Sequence, residues 1–203
     1  MSVLEFSQTL GVATFSWAQQ RRDISMSSPF GSQAVEVAPP AWLVTLASNA
    51  MLETSAGEWQ SFMLRLRGQT NQISLWNLKR PQPRGTMRGT MTLNIAAAQG
   101  DVSLSIIASS EAAKTLVSGD LLGIGTGVSQ QVVMVTADAT ANGSGVIAVN
   151  IEPPLRNAHL IAAAVTWDKP KALFRRAQSQ TRWEYLNSAV SGFALDLIED
   201  TRT

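Results

Sequence analysis

Residues 118–127 read SGDLLGIGTG and run on into VSQQVVMVTA, residues 128–137. Four glycines and an acid within ten residues raise the question of a phosphate-cradling loop. Such a loop presents backbone amides at a helix N-terminus, and its common nucleotide-binding form ends in Gly-Lys-Ser/Thr so that a lysine reaches the phosphates. Neither feature is present. Val128 to Val135 is rich in β-branched residues and has no helical period, so the glycines separate two extended segments. The stretch therefore reads as strand, turn and strand. Gly119, Gly123 and Gly125 are expected as bends at strand ends, where glycine supplies a positive φ at little steric cost.

Outward from this point the same pattern recurs. MTLNIAA (91–97), DVSLSIIA (101–108), GVIAVNIEP (145–153), LIAAAVTW (160–167) and KALFRRA (171–177) are short Val/Ile-rich runs broken by Gly or Pro. Such spacing argues for a small barrel or sandwich. Asn142-Gly143 is the clearest hairpin signal, because both residues tolerate the left-handed backbone of a tight turn. Near the N-terminus, GVATFSWAQ (11–19) and SQAVEVAPPAWLVTLA (32–47) read as strands separated by the polar segment RRDISMSSPFGS (21–32), with Pro39-Pro40 marking a strand entry or edge.

One amphipathic α-helix is expected at about 55–67. Ser55 and Glu58 have capping-box spacing, and Trp59, Phe62, Met63 and Leu66 recur at i, i+3, i+4 and i+7 to form a core-facing stripe ended by Gly68. A strand through Ile73, Leu75 and Leu78 follows. The next loop, broken by prolines and glycines, carries Lys79, Arg80, Arg84 and Arg88, the densest basic stretch in the chain. No aromatic is interleaved with those charges, so a solvated or interface loop is favoured over a nucleic-acid platform. TRWEYLNSAVSGFALDLIED (181–200) reads as two strands around a Ser-Gly turn, with Trp183 packed inward and the last strand returning to the N-terminal ones. The expected fold is thus mainly β, a β-sandwich or small barrel with one helix. Residues 1–90 with 171–203 would form one domain, and 91–170 an inserted barrel that could share its core.

Composition narrows the function. The 203 residues carry 16 Lys+Arg against 15 Asp+Glu, a net charge of +1 with no broad electrostatic footprint for DNA or an acidic membrane. Cysteine is absent, which removes disulfides, thiolate metal sites and cysteine nucleophiles. No signal peptide or run of membrane-spanning length is visible, so no direct membrane insertion is expected. His159 is the single histidine, and although Asp168 lies nearby in sequence there is no Gly-x-Ser-x-Gly elbow. Carboxylate pairs such as Glu53 with Glu58, or Glu152 with Asp168, are arbitrary choices for glycoside hydrolysis. No catalytic, cofactor-binding or metal-ligating residue is assigned, and the protein is not expected to be an enzyme.

Three stretches together resemble a known family: EWQSFMLRLRGQTNQISLWNLKRPQPRGT (58–86), SGDLLGIG (118–125) and NGSGVIAVNIEPPLRNA (142–158). Their order and spacing are similar to those of distal tail proteins of long-tailed, siphovirus-type bacteriophages, also described as minor tail or tail-tip proteins. The resemblance spans roughly residues 10–199. It implies a structural virion protein at the distal end of the tail, assembled in the host cytoplasm, without the additional carbohydrate-binding domain that some members carry. It further implies a homo-oligomeric ring, commonly of six copies, that joins the tail tube protein to the hub and fibre proteins. DNA would pass through the ring without specific binding. Lys79, Arg80, Arg84 and Arg88, with the N-terminal arm 1–10, are the candidate subunit contacts, and the four basic residues are not expected all to line the channel, where they would retard DNA. The competing expectation is a receptor- or carbohydrate-binding module of the tail tip, for which exposed tryptophans would serve as stacking surfaces.

Overall fold

The computed structural model describes residues 2–187 and 189–201. In chain order the strands are β1 (Val3–Glu5), β2 (Thr14–Ser28), β3 (Gly31–Ala47), β4 (Met51–Leu52), β5 (Gln72–Leu75), β6 (Met91–Leu93), β7 (Ser103–Ala108), β8 (Thr115–Leu116) and β9 (Leu121–Ile124). They continue as β10 (Gln131–Val135), β11 (Ala139–Thr140), β12 (Val146–Glu152), β13 (Ala164–Thr166), β14 (Ala172–Arg176), β15 (Tyr185–Leu186), β16 (Ala189–Val190) and β17 (Ala194–Glu199). The helix α1 is Glu53–Arg65. The fold is mainly β, with one α-helix and a closed six-stranded barrel. Among the described residues no helix is long and apolar enough to cross a membrane.

Two compact units are present. One holds the described residues of Met1–Arg21, Pro40–Leu75 and Leu173–Arg202, and the other holds Arg22–Pro39 and Trp76–Ala172. The divisions fall after Leu75 and Ala172 rather than after residues 90 and 170, so the basic loop belongs with the barrel.

The first unit is organised by a sheet of order β1-β5-β14-β17-β3-β2. β17 returns antiparallel to β3, with Leu195 opposite Leu46 and Leu197 opposite Val44, and these four side chains are buried. α1 presents Ala56, Trp59, Phe62 and Met63 to the core, and Leu66 just beyond it is also buried. Trp59 stacks on Phe193 with ring centroids 5.8 Å apart, while Phe6 meets Phe62 edge-on at 5.7 Å. The helix begins three residues earlier than its capping pattern predicts. Leu52 is the N-cap, with no side-chain capping bond, so Ser55 lies inside the first turn. At the other end Arg67 and Gly68 take positive φ, and Asn71 Nδ2 donates to the Arg65 carbonyl, which satisfies one of the carbonyls a helix C-terminus exposes. The N-terminal arm is not a free appendage: β1 pairs parallel with β5, and Phe6 and Leu10 are buried.

The second unit contains the barrel, closed in the order β10-β12-β7-β6-β13-β9. Leu104, Ile106, Val133, Val135, Ile147, Val149, Ile151 and Val165 fill it, in the period-2 alternation that the sequence carried. Each such side chain removed from water stabilises the fold by roughly 1.5–3 kcal/mol. Two of the expected turns are differently built. Gly123 lies inside β9, where an added Cβ would stand 2.7 Å from Gln130 Nε2, so its lack of a side chain makes room for that amide. In the 142–145 turn the left-handed residue is Gly145, not Gly143; Asn142 Oδ1 accepts from Ser144 N and Val146 N instead. Gly119 and Gly125 do adopt positive φ, at +89° and +87°. β5 ends at Leu75, and Leu78 lies in the following turn.

Candidate interaction surfaces

The segment 21–32, expected as a polar loop, is instead extended. β2 and β3 run through it and reverse only at Pro29-Phe30, where Phe30 N donates to Ser28 Oγ and Ser28 Oγ donates to the Gly31 carbonyl. This two-residue reversal sets Ser28 across from Gly31. Counted down the ladder it brings Ile24 across from Val35 and Trp17 across from Trp42, whose rings are indeed 5.7 Å apart. Residues across the ladder share a face, so Ile24 and Met26 lie on the same side as Val35 and Val37. All four are exposed, by 44 to 64%, and Phe30 at the tip is fully exposed. The opposite face of the same stretch carries Asp23, Ser25, Ser27, Ala34 and Glu36. The alternation of Ile24, Met26, Val35 and Val37 with polar residues and the Ser-Pro-Phe-Gly turn carry the hairpin in the sequence, beneath its overall polarity.

Pro39 and Pro40 sit within β3 rather than at its start. β17 pairs with β3 only over Leu43–Ala47, so on that side the missing proline N–H groups interrupt no ladder. β2 is the outermost strand of its sheet, and at fifteen residues it offers a long row of ladder groups on its outer side.

The basic loop is the second surface, and it is more tightly built than its sequence suggested. Asp120, 2% exposed, organises it. Its Oδ1 accepts from Arg84 N at 2.7 Å, and its Oδ2 accepts from Gly85 N at 3.1 Å and Val117 N at 2.8 Å. The acid in SGDLLGIG and the PRGTM stretch are thus two halves of one tie, a relation that no local pattern announces. Gly85 packs directly on β8: an added Cβ would lie 2.3 Å from the Thr115 carbonyl oxygen. Pro83, Gly85 and Met87 are buried, whereas Lys79, Arg80 and Arg84 are exposed.

Arg88, one of the four basic residues expected at a subunit contact, is bonded within its own loop. Its guanidinium donates to the carbonyls of Pro83, Gly85 and Met87 at 2.7–3.0 Å and lies 5.0 Å from the Trp167 ring centroid. That arrangement spends the side chain inside the loop. Arg80 Nη1 donates to the Gly119 carbonyl at 3.2 Å and Arg84 Nη2 to the Ser118 carbonyl. The aromatics that the loop itself lacks come from elsewhere in the chain. Trp167 underlies Arg88, and Trp76 lies beneath Lys169 and Lys171, whose Nζ atoms are 5.5 and 5.7 Å from its centroid.

The residues weighed for catalysis do not converge. His159 N–H and C=O pair with Ala97, its Nε2 is buried without a hydrogen-bond partner among the described residues, and burial pushes its pKa below the usual histidine value. Asp168 Oδ1 accepts from Gln82 Nε2 and makes no hydrogen bond to His159. Glu58 borders an open cleft of about 450 Å³ beside α1, together with Thr9, Ser55 and Trp59. Of the tryptophans, Trp42, Trp59 and Trp76 are at most 8% exposed. Trp183 lies in irregular chain and is only half-buried, not the strand-core residue expected, and Tyr185 is exposed. No protein-family model matches the sequence, and no curated protein matches it.

Proposed function

We propose that the protein is a structural component of the tail tip of a long-tailed bacteriophage, or of a tail device derived from one. Copies join into a ring, six in number as the resemblance implies, between the tail tube and the hub and fibre proteins. The ring leaves a channel through which DNA passes. The observation that carries this reading is the β2–β3 hairpin: an outermost strand of fifteen residues backed by an exposed apolar face. Long edges of this kind are usually blunted by charge, prolines or bulges because they template pairing with other chains. A closed ring uses them, since its head-to-tail contacts need two different surfaces on every copy. The low charge density fits the same use, because interface cores are depleted of charged residues.

The test is light-scattering mass across a concentration series, with negative-stain imaging of the heaviest fraction. A closed oligomer with a central hole is expected, and the double variant Ile24→Asp, Val35→Asp should remain monomeric with an unchanged circular dichroism spectrum. A wild-type chain that stays monomeric both alone and with tube protein would overturn the reading. The alternative of a glycan-binding module predicts saturable quenching of tryptophan fluorescence by sugars. The deep burial of Trp42, Trp59 and Trp76 weighs against it.

A further inference from the structure

We infer that Arg80 and Arg84 form a two-guanidinium binding site for a phosphate group. Both side chains close over the turn at residues 118–119, each fixed by a main-chain carbonyl. Arg80 Nη1 and Arg84 Nη2 lie 3.0 and 3.6 Å from the point a Cβ on Gly119 would occupy, so the two guanidiniums meet above the one residue that has no side chain to separate them. Among the described residues neither guanidinium is within ion-pair distance of a carboxylate. The acids nearest in the bonding pattern are committed elsewhere. Asp120 accepts from three backbone amides, Asp138 Oδ1 accepts from Ser118 N at 2.8 Å, and Asp168 Oδ1 accepts from Gln82. Lys169 N donates to the Pro81 carbonyl at 2.6 Å, one residue from Arg80, while its Nζ lies over the Trp76 ring.

Two guanidiniums held side by side, neither in an ion pair among the described residues, can grip one anion together. A guanidinium has five N–H donors, and one main-chain bond leaves each arginine most of its fork. The charge selects the ligand class. One carboxylate neutralises one guanidinium, whereas a phosphate dianion matches both and has enough oxygens to accept from two forks. The backbone prepares the site before any ligand arrives, because Arg84 N is tied to Asp120 and the 118–119 carbonyls hold both heads. This inference is independent of ring formation.

The experiment is calorimetric titration of inorganic phosphate into the full chain at constant ionic strength, with chloride as the compensating ion. Saturable one-site binding is expected. It should weaken about tenfold or more in Arg80→Gln and in Arg84→Gln, and stay within about twofold in Lys79→Gln, which removes a neighbouring charge outside the pair. Arg80→Lys and Arg84→Lys keep the charge and lose the fork, so they too should bind more weakly, and they carry the test if the Gln variants do not fold. Absence of saturable binding, an equal loss in Lys79→Gln, or unchanged affinity in both Lys variants would each overturn the proposal, as would acetate binding as tightly as phosphate. A duplex oligonucleotide, whose phosphodiesters carry one charge each, should leave phosphate binding intact; an oligonucleotide that displaces phosphate from these arginines would overturn the choice of the dianion.

Discussion

Removing the Asp120 carboxylate should release the basic loop from the barrel. The side chain accepts three backbone N–H bonds at 2.7–3.1 Å and is 2% exposed. Hydrogen bonds to a charged acceptor are each worth roughly 1.5–3 kcal/mol, and a buried donor left without a partner adds its own desolvation cost. The three bonds share one acceptor, and water can reach the Arg84 and Val117 amides once it is gone, so the terms do not add fully. Asp120→Ala should therefore cost about 4 kcal/mol. For a chain of this size that lowers Tm by about 12 °C, taking roughly 2–4 °C per kcal/mol. Asp120→Asn separates geometry from charge. Its single carbonyl oxygen can replace Oδ2, which serves Gly85 N and Val117 N, but its NH2 group then faces Arg84 N. One bond is lost, at a cost of about 2 kcal/mol. Scanning calorimetry reads the melting temperature, and amide hydrogen exchange locates the effect. Protection should fall at Arg84, Gly85 and Val117 and be retained in β7 and β12. If Asp120→Ala melts within about 2 °C of wild type with those three amides still protected, the carboxylate is not the tie described above.

Gly85→Ala would push a methyl group against the Thr115 carbonyl and the Leu116 Cα, backbone atoms that cannot rotate away; a loss of roughly 1–3 kcal/mol in urea unfolding is expected, and none would show that the loop does not pack on β8. In the first unit, Trp59→Ala should cost roughly 3–5 kcal/mol through the cavity left against Phe193. Trp59→Phe should cost much less, because the indole Nε1 is buried without a partner among the described residues and phenylalanine omits that donor. His159 gives a pH signature. Its folded pKa lies below the unfolded value, so its stability contribution is complete above about pH 6.5 and is lost as pH falls toward the lowered native pKa, where the unfolded chain binds the proton first. The urea midpoint should therefore drop between pH 7.5 and 5.5 in wild type and drop less in His159→Asn, and equal drops would remove His159 as the cause.

What the sequence disclosed and what it hid divide along one physical line. Features written in a single period were legible. The barrel strands announced themselves as short alternating runs, and Trp59, Phe62, Met63 and Leu66 marked the buried stripe of the helix. Features that depend on which residues meet across the chain were not. Nothing within residues 79–88 reveals that Asp120, more than thirty positions away, binds two of their amides, and nothing near Arg88 reveals Trp167 beneath it. The glycines show the boundary most clearly. Gly119 and Gly125 serve the local dihedral that glycine implies, while Gly123 makes room for the Gln130 side chain seven residues on and Gly85 packs against a neighbouring strand.

The hairpin differs from the expectation for a different reason. Residues 21–32 are polar and read from sequence as a break between two strands, yet they are extended. A two-stranded ribbon satisfies its backbone by pairing with itself and needs no burial to be extended, but an isolated ribbon is only marginally stable in water. β2 and β3 pass from half-buried Trp17 and buried Trp42 to positions exposed throughout at 22–37. Along that length the chain carries Ile24, Met26, Val35 and Val37 on one face, where solvent alone would favour polar residues. Ile24 faces Val35 across the ladder, while Met26 faces Gln33 and Val37 faces Arg22, so the apolar patch on this face is bordered by polar residues. The same alternation has a direct use when another chain covers the face, and this is why the double aspartate variant at Ile24 and Val35 should abolish assembly while leaving both cores intact.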